Sequence, residues 1–570
     1  MLNYKLHVAE KVSSLLGSFE PQELAALMEY PANHDKGDLC LPCFRLSKVL
    51  GKSPKDIAEH LQATLQDEEI DQIEAVNGYL NIFLKKQRWA EALIQHIHHA
   101  GHQYGSQNVG QGRTIVIDYS SPNIAKPFHV GHLRSTVIGN ALYHIHAFLG
   151  YTCVGINHLG DWGTQFGKLI VAYQQWGSKE AVNQGAIDEL LHLYVKFHEE
   201  AEKDPTLEDQ ARAWFTRMEH GDQEALALWH WFIDISMAEF QKIYKLLGVQ
   251  FDAYQGESFY NDKMAPVIQM LQENQLLEED EGAMLVRLDA FDMAPALMLK
   301  KDGSSLYHTR DLTAAIYRAE TYDFAKLIYV TDYAQNLHFQ QCFKVLELMG
   351  YTWASKLEHV AFGRVSIEGG GLSTRKGNVI KLENVLELSV QKIKEVIEAR
   401  NPGLPNKEEV AVQVGIGAVI FNDLSANRIK DIDFSWEDAL NFDGETGPYV
   451  QYTYARTCSL LKKAQMGFGH DFLTSNVDGS YLLEKEAVAV IKMLYLFTER
   501  IEQAMVKLEP SIISRYLIDL AQAFNRFYHT CYILVEEKHV REARLALVTS
   551  VQTTLRNGLK LIGLQAPNEI

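Results

Sequence analysis

Lys126, His129, Gly131 and His132 fall within seven residues, inside the run Ser121-Pro122-Asn123-Ile124-Ala125-Lys126-Pro127-Phe128-His129-Val130-Gly131-His132-Leu133-Arg134-Ser135. Two imidazoles three apart at a helix start could sit idle on a surface, form half of a metal site, or donate to phosphate oxygens. A metal would need a third ligand, and no Cys, Asp or Glu nearby has evident ligand spacing. Phosphate chemistry fits the set better. N–H donors and an ammonium stabilise charge as it develops on an α-phosphorus, and Gly131 leaves room for a base or ribose to lie on the backbone.

The elements that must position these groups can be read on either side. Thr114-Ile115-Val116-Ile117 is an apolar run suited to a buried strand, and Pro122 and Pro127 forbid regular pairing beyond it. From Leu133 the apolar residues Val137, Ala141, Ile145 and Leu149 form one helical stripe that Gly150 ends, and Cys153-Val154-Gly155-Ile156 offers a second strand. A parallel unit of this kind binds ligands at the strand's carboxyl end, where free helix N–H groups suit phosphate.

The chain has 570 residues, long enough for two to four domains, and a formal charge of −19. That balance argues against a generic basic nucleic-acid coat. Residues 449–570 carry 14 Lys and Arg against 12 Asp and Glu, leaving 40 against 61 for the rest. A phosphate-bearing partner could use that contrast, and so could chance variation over a solvated helical surface. Six scattered cysteines suit a reduced compartment rather than a disulfide framework. Cys40 and Cys43, with His34 nearby, read as packing and surface residues of a helix rather than zinc ligands. Met1–Leu16 is amphipathic and charged, neither a secretory signal nor a membrane span, and the apolar run near Val414–Phe421 is too short to cross a bilayer.

Along the chain, residues 1 to about 105 read as a small α/β unit. It has helices near Asn3–Leu16 and Ile57–Leu65 and a strand pair over Ile73–Leu84 that turns at Asn77-Gly78. Gly101–Arg113 is a linker. Residues 168–300 are acidic and read as a helical insertion, after which Lys326–Val330 and His359–Phe362 resume the strand pattern. Helices follow over Leu382–Arg400 and Glu408–Leu424. Beyond the boundary at Gly444–Pro448, four more over Tyr449–Met466, Lys485–Val506, Ser511–His529 and Val540–Ile562 predict an all-α bundle.

The run Ser121–Ser135, followed by Asn157-His158-Leu159-Gly160-Asp161-Trp162-Gly163-Thr164-Gln165-Phe166-Gly167, resembles the catalytic signature of class I aminoacyl-tRNA synthetases, specifically the arginyl-tRNA synthetase family. The resemblance covers essentially the whole chain. Val76–Leu84 is similar to the family's additional N-terminal domain, and Tyr449–Arg456 opens a stretch similar to its anticodon-binding domain. The resemblance implies an N-terminal domain over 1–108 that touches the tRNA elbow. It further implies a Rossmann-type nucleotide-binding catalytic domain over 109–448 with a helical insertion at about 168–300, and an all-α anticodon-binding bundle over 449–570. It also implies a cytoplasmic, monomeric enzyme that uses ATP, L-arginine and tRNA(Arg), with Mg2+ on the phosphates, no zinc and no membrane.

The family's second signature normally carries two lysines. Here it reads Gly371-Leu372-Ser373-Thr374-Arg375-Lys376-Gly377-Asn378, so Gly371 and Thr374 stand where those lysines would be. By resemblance Lys126 supplies the lost charge to ATP, together with Ser373, Arg375 and Lys376. For the last two the competing reading is a solvated loop, and the Gly-rich context favours a phosphate lid over it. A guanidinium has five donors and no acceptor, so an arginine pocket needs carboxylates. The matching positions are Asp118, Asn123, Tyr307, Asp311 and Gln335. Tyr307 and Asp311, four apart, share one face of a helical turn, an arrangement that would also arise from a plain helix-start carboxylate beside a packed tyrosine. Asp332 is either a pocket acid or an ordinary loop residue.

No side chain need act as a nucleophile, so Lys126, His129 and His132 are expected to work by positioning and electrostatics. In the tail, Tyr454, Arg456, Tyr495, Phe497, Tyr528 and Arg541 offer stacking and phosphate contacts for a single-stranded loop, while Phe524 and Phe527 read as core. Three other readings compete: a synthetase for another amino acid, a small-molecule nucleotidyltransferase sharing the His-x-Gly-His turn, and an inactive RNA-binding homologue.

Overall fold

The computed structural model describes residues 3–31, 36–301, 307–367, 381–468 and 477–570. The chain divides into two compact units. One combines residues 1–104 with 457–496 and 522–554, and the other combines 105–456 with 497–521 and 555–570.

In the first unit, strands β1 (Leu39–Pro42), β2 (Ile70–Val76) and β3 (Tyr79–Leu84) form an antiparallel sheet in the order β1-β3-β2. Asn77 and Gly78 both have positive φ, 50° and 84°, the backbone a two-residue hairpin requires, and so the Asn-Gly pair fixes the β2–β3 register. Helix Pro54–Thr64 packs on β2 and β3, and helices Tyr4–Leu16 and Lys86–Ala100 each bury one stripe in the same unit. Asp38 is buried yet satisfied, accepting from Leu84 N–H at 2.8 Å and pairing with Lys86 and, at 2.7 Å, with Lys492. Cys40 lies in β1 and Cys43 caps the helix Phe44–Leu50, so the pair sits in a strand and a turn rather than in the helix expected from sequence. Both thiols are buried and unoxidised, and His34 lies outside the described residues.

The second unit is built on a parallel sheet. Its strands are β4 (Thr114–Asp118), β5 (Thr152–Asn157) and β6 (Ala253–Tyr254), and, after the short antiparallel set β7 (Glu278–Asp280), β8 (Ala283–Val286) and β9 (Ala296–Leu299), β10 (Lys326–Asp332) and β11 (Leu357–Phe362). The order β11-β10-β4-β5-β6 makes the chain run outward from β4 in one direction and from β10 in the other. The topological switch therefore falls between β4 and β10, where the carboxyl ends of open parallel sheets bind ligands. β12 (Val365–Ile367) and β13 (Ile432–Phe434) add a separate parallel pair.

The insertion is helical only in part. Four helices, from Thr164 to Leu247, separate β5 from β6, but β7, β8 and β9 then form a sheet where more helix was expected. The signal was Glu281-Gly282, whose φ values of 49° and 87° make a tight hairpin turn, and runs of three or four residues are too short for alternation to reveal. Helices Leu382–Arg400 and Lys407–Ser425 and the four C-terminal helices match the predicted periodicity within a few residues.

One close approach fixes the depth of the helix Val130–Phe148 against the sheet. A Cβ at Gly139 would lie 2.2 Å from Tyr119 Cγ, and Tyr119 is fully buried. Gly139→Ala is expected to destabilise the fold by about 1–3 kcal/mol through overpacking. A urea titration checks this, and an unchanged midpoint would mean that Tyr119 can step aside at no cost.

Candidate active site

The turn from β4 into the helix Val130–Phe148 contains three non-glycine residues in the left-handed region, Ser120 (φ 73°), Ser121 (49°) and Ala125 (60°). Such conformations are unfavourable and persist only when their surroundings hold them. Here buried hydroxyls do so. Ser120 N–H donates to Ser135 Oγ (2.9 Å), and Ser135 Oγ–H donates to the Val330 carbonyl at the end of β10 (2.6 Å). Ser120 Oγ lies 2.8 Å from both Tyr244 Oη and Thr136 Oγ1, and Ala125 N–H donates to Ser236 Oγ (2.9 Å). The turn is thus tied to its own helix, to the neighbouring strand and to the helix Gln223–Leu247.

His129 caps the helix, and the two imidazoles satisfy the first turn reciprocally. Gly131 N–H donates to His129 Nδ1 (3.1 Å) and His129 N–H donates to His132 Nδ1 (3.2 Å). Because each Nδ1 accepts from a backbone donor, each neutral ring must carry its proton on Nε2. The rings stack at 3.7 Å between centroids, 22° from parallel. Burial, aided by the charge of Lys126, lowers His129 to about 4 and holds His132 well below its ordinary value, where the His129 charge also opposes protonation. The site therefore presents two neutral Nε2–H donors beside one ammonium. At Gly131 a Cβ would lie 2.9 Å from His129 Cε1, so the missing side chain makes room for the His129 ring.

The acidic residues converge on the same sheet edge. Asp118, the last residue of β4 and 5% exposed, forms an ion pair with Arg318 Nη1 at 2.8 Å and accepts from Ser121 Oγ–H at 3.0 Å. Arg318 is fully buried on the helix Tyr307–Tyr322, its guanidinium 5.5 Å from the ring centre of Tyr329, the β10 residue that pairs with Asp118. Asp311 lies on that helix too, 2.5 Å from His338 Nε2. Burial raises its pKa, but the hydrogen bond and charge of His338, with His158 and Arg318, outweigh that and leave it below the ordinary value. The two aspartates thus lie near one buried guanidinium, but unequally. Asp118 is sealed and already matched by an internal guanidinium, whereas the Asp311 side chain keeps about a quarter of its surface (27%) open.

Asn123 bridges to Gly160, where a Cβ would fall 2.2 Å from Asn123 Oδ1, so the second motif contributes a missing side chain. Tyr307 is 68% exposed at the helix start, and Gln335 is exposed in the turn after β10. Asp332 accepts from Ala334 N–H at 2.8 Å, a turn-capping role. Ser373, Arg375 and Lys376 lie outside the described residues. The chain that follows them is anchored at the site: Lys381 bridges to His129, Leu382 N–H donates to Phe128 O (2.9 Å), and Lys381 Nζ pairs with Asp188 at 2.6 Å.

Several supporting residues carry no role from sequence alone. Arg134, within the first motif, is fully buried. Its Nη1 donates to the carbonyls of Gly363 (2.8 Å) and Lys430 (2.7 Å), and its Nε lies 3.4 Å from Asp423, whose carboxyl burial pushes up to about 6. An arginine between Leu133 and Ser135 on an otherwise apolar helix face was the available signal. Ser120, Ser135, Thr136, Ser236, Tyr244 and Arg318 gave none, since their partners lie far away in sequence.

In the tail, Tyr454 and Phe497 are buried and present no face to a base, which corrects their assignment as stacking residues. Arg541 is likewise buried, donating to the carbonyls of Val535 (2.7 Å) and Glu536 (2.9 Å) with its guanidinium 3.8 Å from the ring centre of Phe468. Tyr495 packs edge-on to Trp89. Arg456 and Tyr528 are half-buried, and Phe524 and Phe527 are core.

Three family models match consecutive stretches of the chain: the arginyl tRNA synthetase N terminal domain over residues 3–84, the class I (R) tRNA synthetase catalytic domain over 93–436, and the DALR anticodon binding domain over 450–570. The arginine–tRNA ligases of Alkaliphilus metalliredigens and Clostridioides difficile are 53% and 51% identical to it, each over the whole of both chains. Among solved structures, the arginyl-tRNA synthetase of Thermus thermophilus matches with a TM-score of 0.83 at 25% identity over the full length of both chains. That of Plasmodium falciparum matches at 0.80 and 23%, covering 100% and 98%, a likeness of fold.

Because His129 has its pKa lowered in the folded state, its neutral form contributes stability above the unfolded value of 6.5, and that contribution is lost as pH falls toward about 4. A histidine-labelled NMR titration is expected to give His129 a midpoint near 4. A midpoint at the ordinary value of 6.5 would show that neither burial nor Lys126 controls the ring.

Proposed function

The chain belongs to the arginyl-tRNA synthetase family, so its activity is the ATP-dependent ligation of L-arginine to tRNA, and we propose that both chemical steps run at the carboxyl edge of β4 and β10. The observation that carries this assignment is the pair of Nε2–H donors, stacked beside Lys126 on the same sheet edge as Asp311 and the Asp118–Arg318 pair.

In the first step a carboxylate oxygen of arginine attacks the α-phosphorus of ATP. The bond to the bridging oxygen breaks, pyrophosphate leaves and arginyl-adenylate forms. His129 and His132 donate Nε2–H bonds to the phosphate oxygens as charge builds on them, and Lys126 supplies the cation that the altered second signature lacks. Ser373, Arg375 and Lys376 complete the phosphate contacts. Neutral donors suit this task, because they need no counter-ion and no proton transfer to work. In the second step the 2′-hydroxyl of the terminal adenosine of tRNA attacks the activated carbonyl, AMP departs, and the hydroxyl proton passes to solvent. The residues around His129 are donors rather than carboxylates, so they suit the nucleotide and would not themselves hold Mg2+, which, bound with the phosphates, would screen the charge of the leaving pyrophosphate.

Arginine selection rests on Asp311, with Tyr307 on the same helix, Gln335 at the turn after β10, and Asn123 toward the α-amino and carboxylate end. Asp118 acts as a positioning residue. Its charge fixes Arg318, and Arg318 in turn helps keep Asp311 ionised. Lysine lacks the planar fork and would leave a buried acceptor unpaired, so discrimination needs no separate proofreading site. The N-terminal stretch (1–108) contacts the tRNA elbow, residues 109–448 carry the catalysis, and the tail (449–570) reads the anticodon of tRNA(Arg), which the matches over 3–84 and 450–570 support. The same reading has a cytoplasmic monomer that needs no zinc. No helix among the described residues is long and apolar enough to cross a membrane.

Two substitutions separate the halves of this site. His132→Ala is expected to slow pyrophosphate exchange by about 10²–10³-fold while the fold persists, the usual effect of losing one preorganised donor. Unchanged exchange in the folded variant would remove His132 from the reaction. Asp311→Asn is expected to raise the KM for arginine by roughly 10–100-fold with little change in that for ATP, given about 1.5–3 kcal/mol for a hydrogen bond to a charged group. An equal rise in both constants would instead mark a collapsed site.

A further inference from the structure

Two helices meet beside Asp311 and each contributes metal-ligating side chains at helical spacing: His308 and Asp311 from Tyr307–Tyr322, and His338 and Cys342 from Asn336–Leu348. Ligand atoms of His308, His338 and Cys342 all lie within 4.8 Å of one another. A tetrahedral ion bound at about 2.0–2.3 Å would need ligand separations of about 3.3–3.8 Å. Cys342 Sγ is already 3.7 Å from His338 Nε2, whereas Asp311 Oδ2, hydrogen-bonded to the same nitrogen at 2.5 Å, must move outward by about 1 Å to share an ion with it. The His308 and His338 rings are 4.4 Å apart.

The surroundings support ligation. Gln341 accepts from His308 Nε2–H at 3.0 Å, and its own amide nitrogen is fixed by the carbonyls of Ala294 (2.7 Å) and Pro295 (3.3 Å). An imidazole whose orientation is set by such a partner is the usual form of a metal ligand. Cys342 is buried, while His308, His338 and Asp311 are half-buried, so an ion could enter from the arginine side. Two imidazoles, a thiolate and a single carboxylate select a borderline-soft cation such as Zn2+ or Co2+ over Mg2+ or Ca2+.

We propose that His308, His338, Cys342 and Asp311 form an inhibitory site for Zn2+-class cations, and that occupancy of this site excludes arginine by taking the Asp311 carboxylate. Binding forms bonds to two imidazole nitrogens, a carboxylate oxygen and the sulfur, whose proton passes to solvent. The cluster adds regulation to a reaction that, in the reading proposed above, routes no step through zinc. Its competitive effect rests on the reading that Asp311 faces the substrate guanidinium, whereas cation binding does not.

The test uses the metal-free full-length protein. Co2+ is expected to give a thiolate-to-cobalt charge-transfer band at one equivalent, which Zn2+ or saturating arginine removes and Cys342→Ala or His308→Gln abolishes. In pyrophosphate exchange with tRNA present, Zn2+ at ten times its Kd should raise the KM for arginine about tenfold at unchanged kcat. Cys342→Ala should match the wild type without metal and ignore Zn2+. Absence of the band, or a band that survives Cys342→Ala in the folded protein, overturns the cation site. A Cys342-dependent band that arginine does not displace upholds the cation site but overturns its competition with arginine, and with it the place of Asp311 at the guanidinium.

Discussion

Everything at the carboxyl edge of β4 depends on a strained turn that buried hydroxyls hold in place. Residues in left-handed conformations cost on the order of 1–3 kcal/mol each, and Ser120, Ser121 and Ala125 are three within six positions. Released from Ser135, Thr136, Tyr244 and Ser236, the turn would relax toward ordinary backbone angles, and Asp118, Asn123 and His129 would move with it. The strain aims three side chains of different chemistry into one crevice over only a dozen residues.

Two kinds of polar burial meet there and are handled differently. Asp118 and Arg318 are buried as charges, and each is tolerable only because the other is present. The imidazoles are half-buried and neutral, each Nδ1 satisfied by the backbone, so they bring hydrogen-bond donors without a charge that would itself need neutralising when the nucleotide leaves. Lys126 carries the only formal charge among the three groups assigned to catalysis. In the proposed reading one half of the crevice serves a guanidinium and the other a polyphosphate, although their side chains come from two helices that flank one sheet edge.

Much of this was legible in the residues. The strand, turn and helix around Ser121–Ser135 follow from apolar spacing and two prolines, the β2–β3 hairpin follows from Asn77-Gly78, and the tail helices follow from their periodicity. What stayed hidden depends on partners distant in sequence. Nothing near Asp118 announces Arg318, and nothing near Ser236 announces the amide of Ala125. The unexpected sheet of β7 to β9 consists of runs too short for a period to show. Periodicity also identifies a helix without saying which of its faces will be covered, which is why Tyr454, Phe497 and Arg541 read as surface residues and proved to be buried.

The contacts at Phe128 and His129 bear on how far the catalytic unit can be divided. The backbone at the entry of the first-motif helix is met by Lys381 and Leu382, and Arg134, one turn inside, spends its guanidinium on the carbonyls of Gly363 and Lys430. A fragment ending after β11 would contain every residue of the first motif and yet leave the mouth of its helix unbraced and a cation stranded in the interior. A fragment that keeps both braces therefore has to extend from β4 past Lys430.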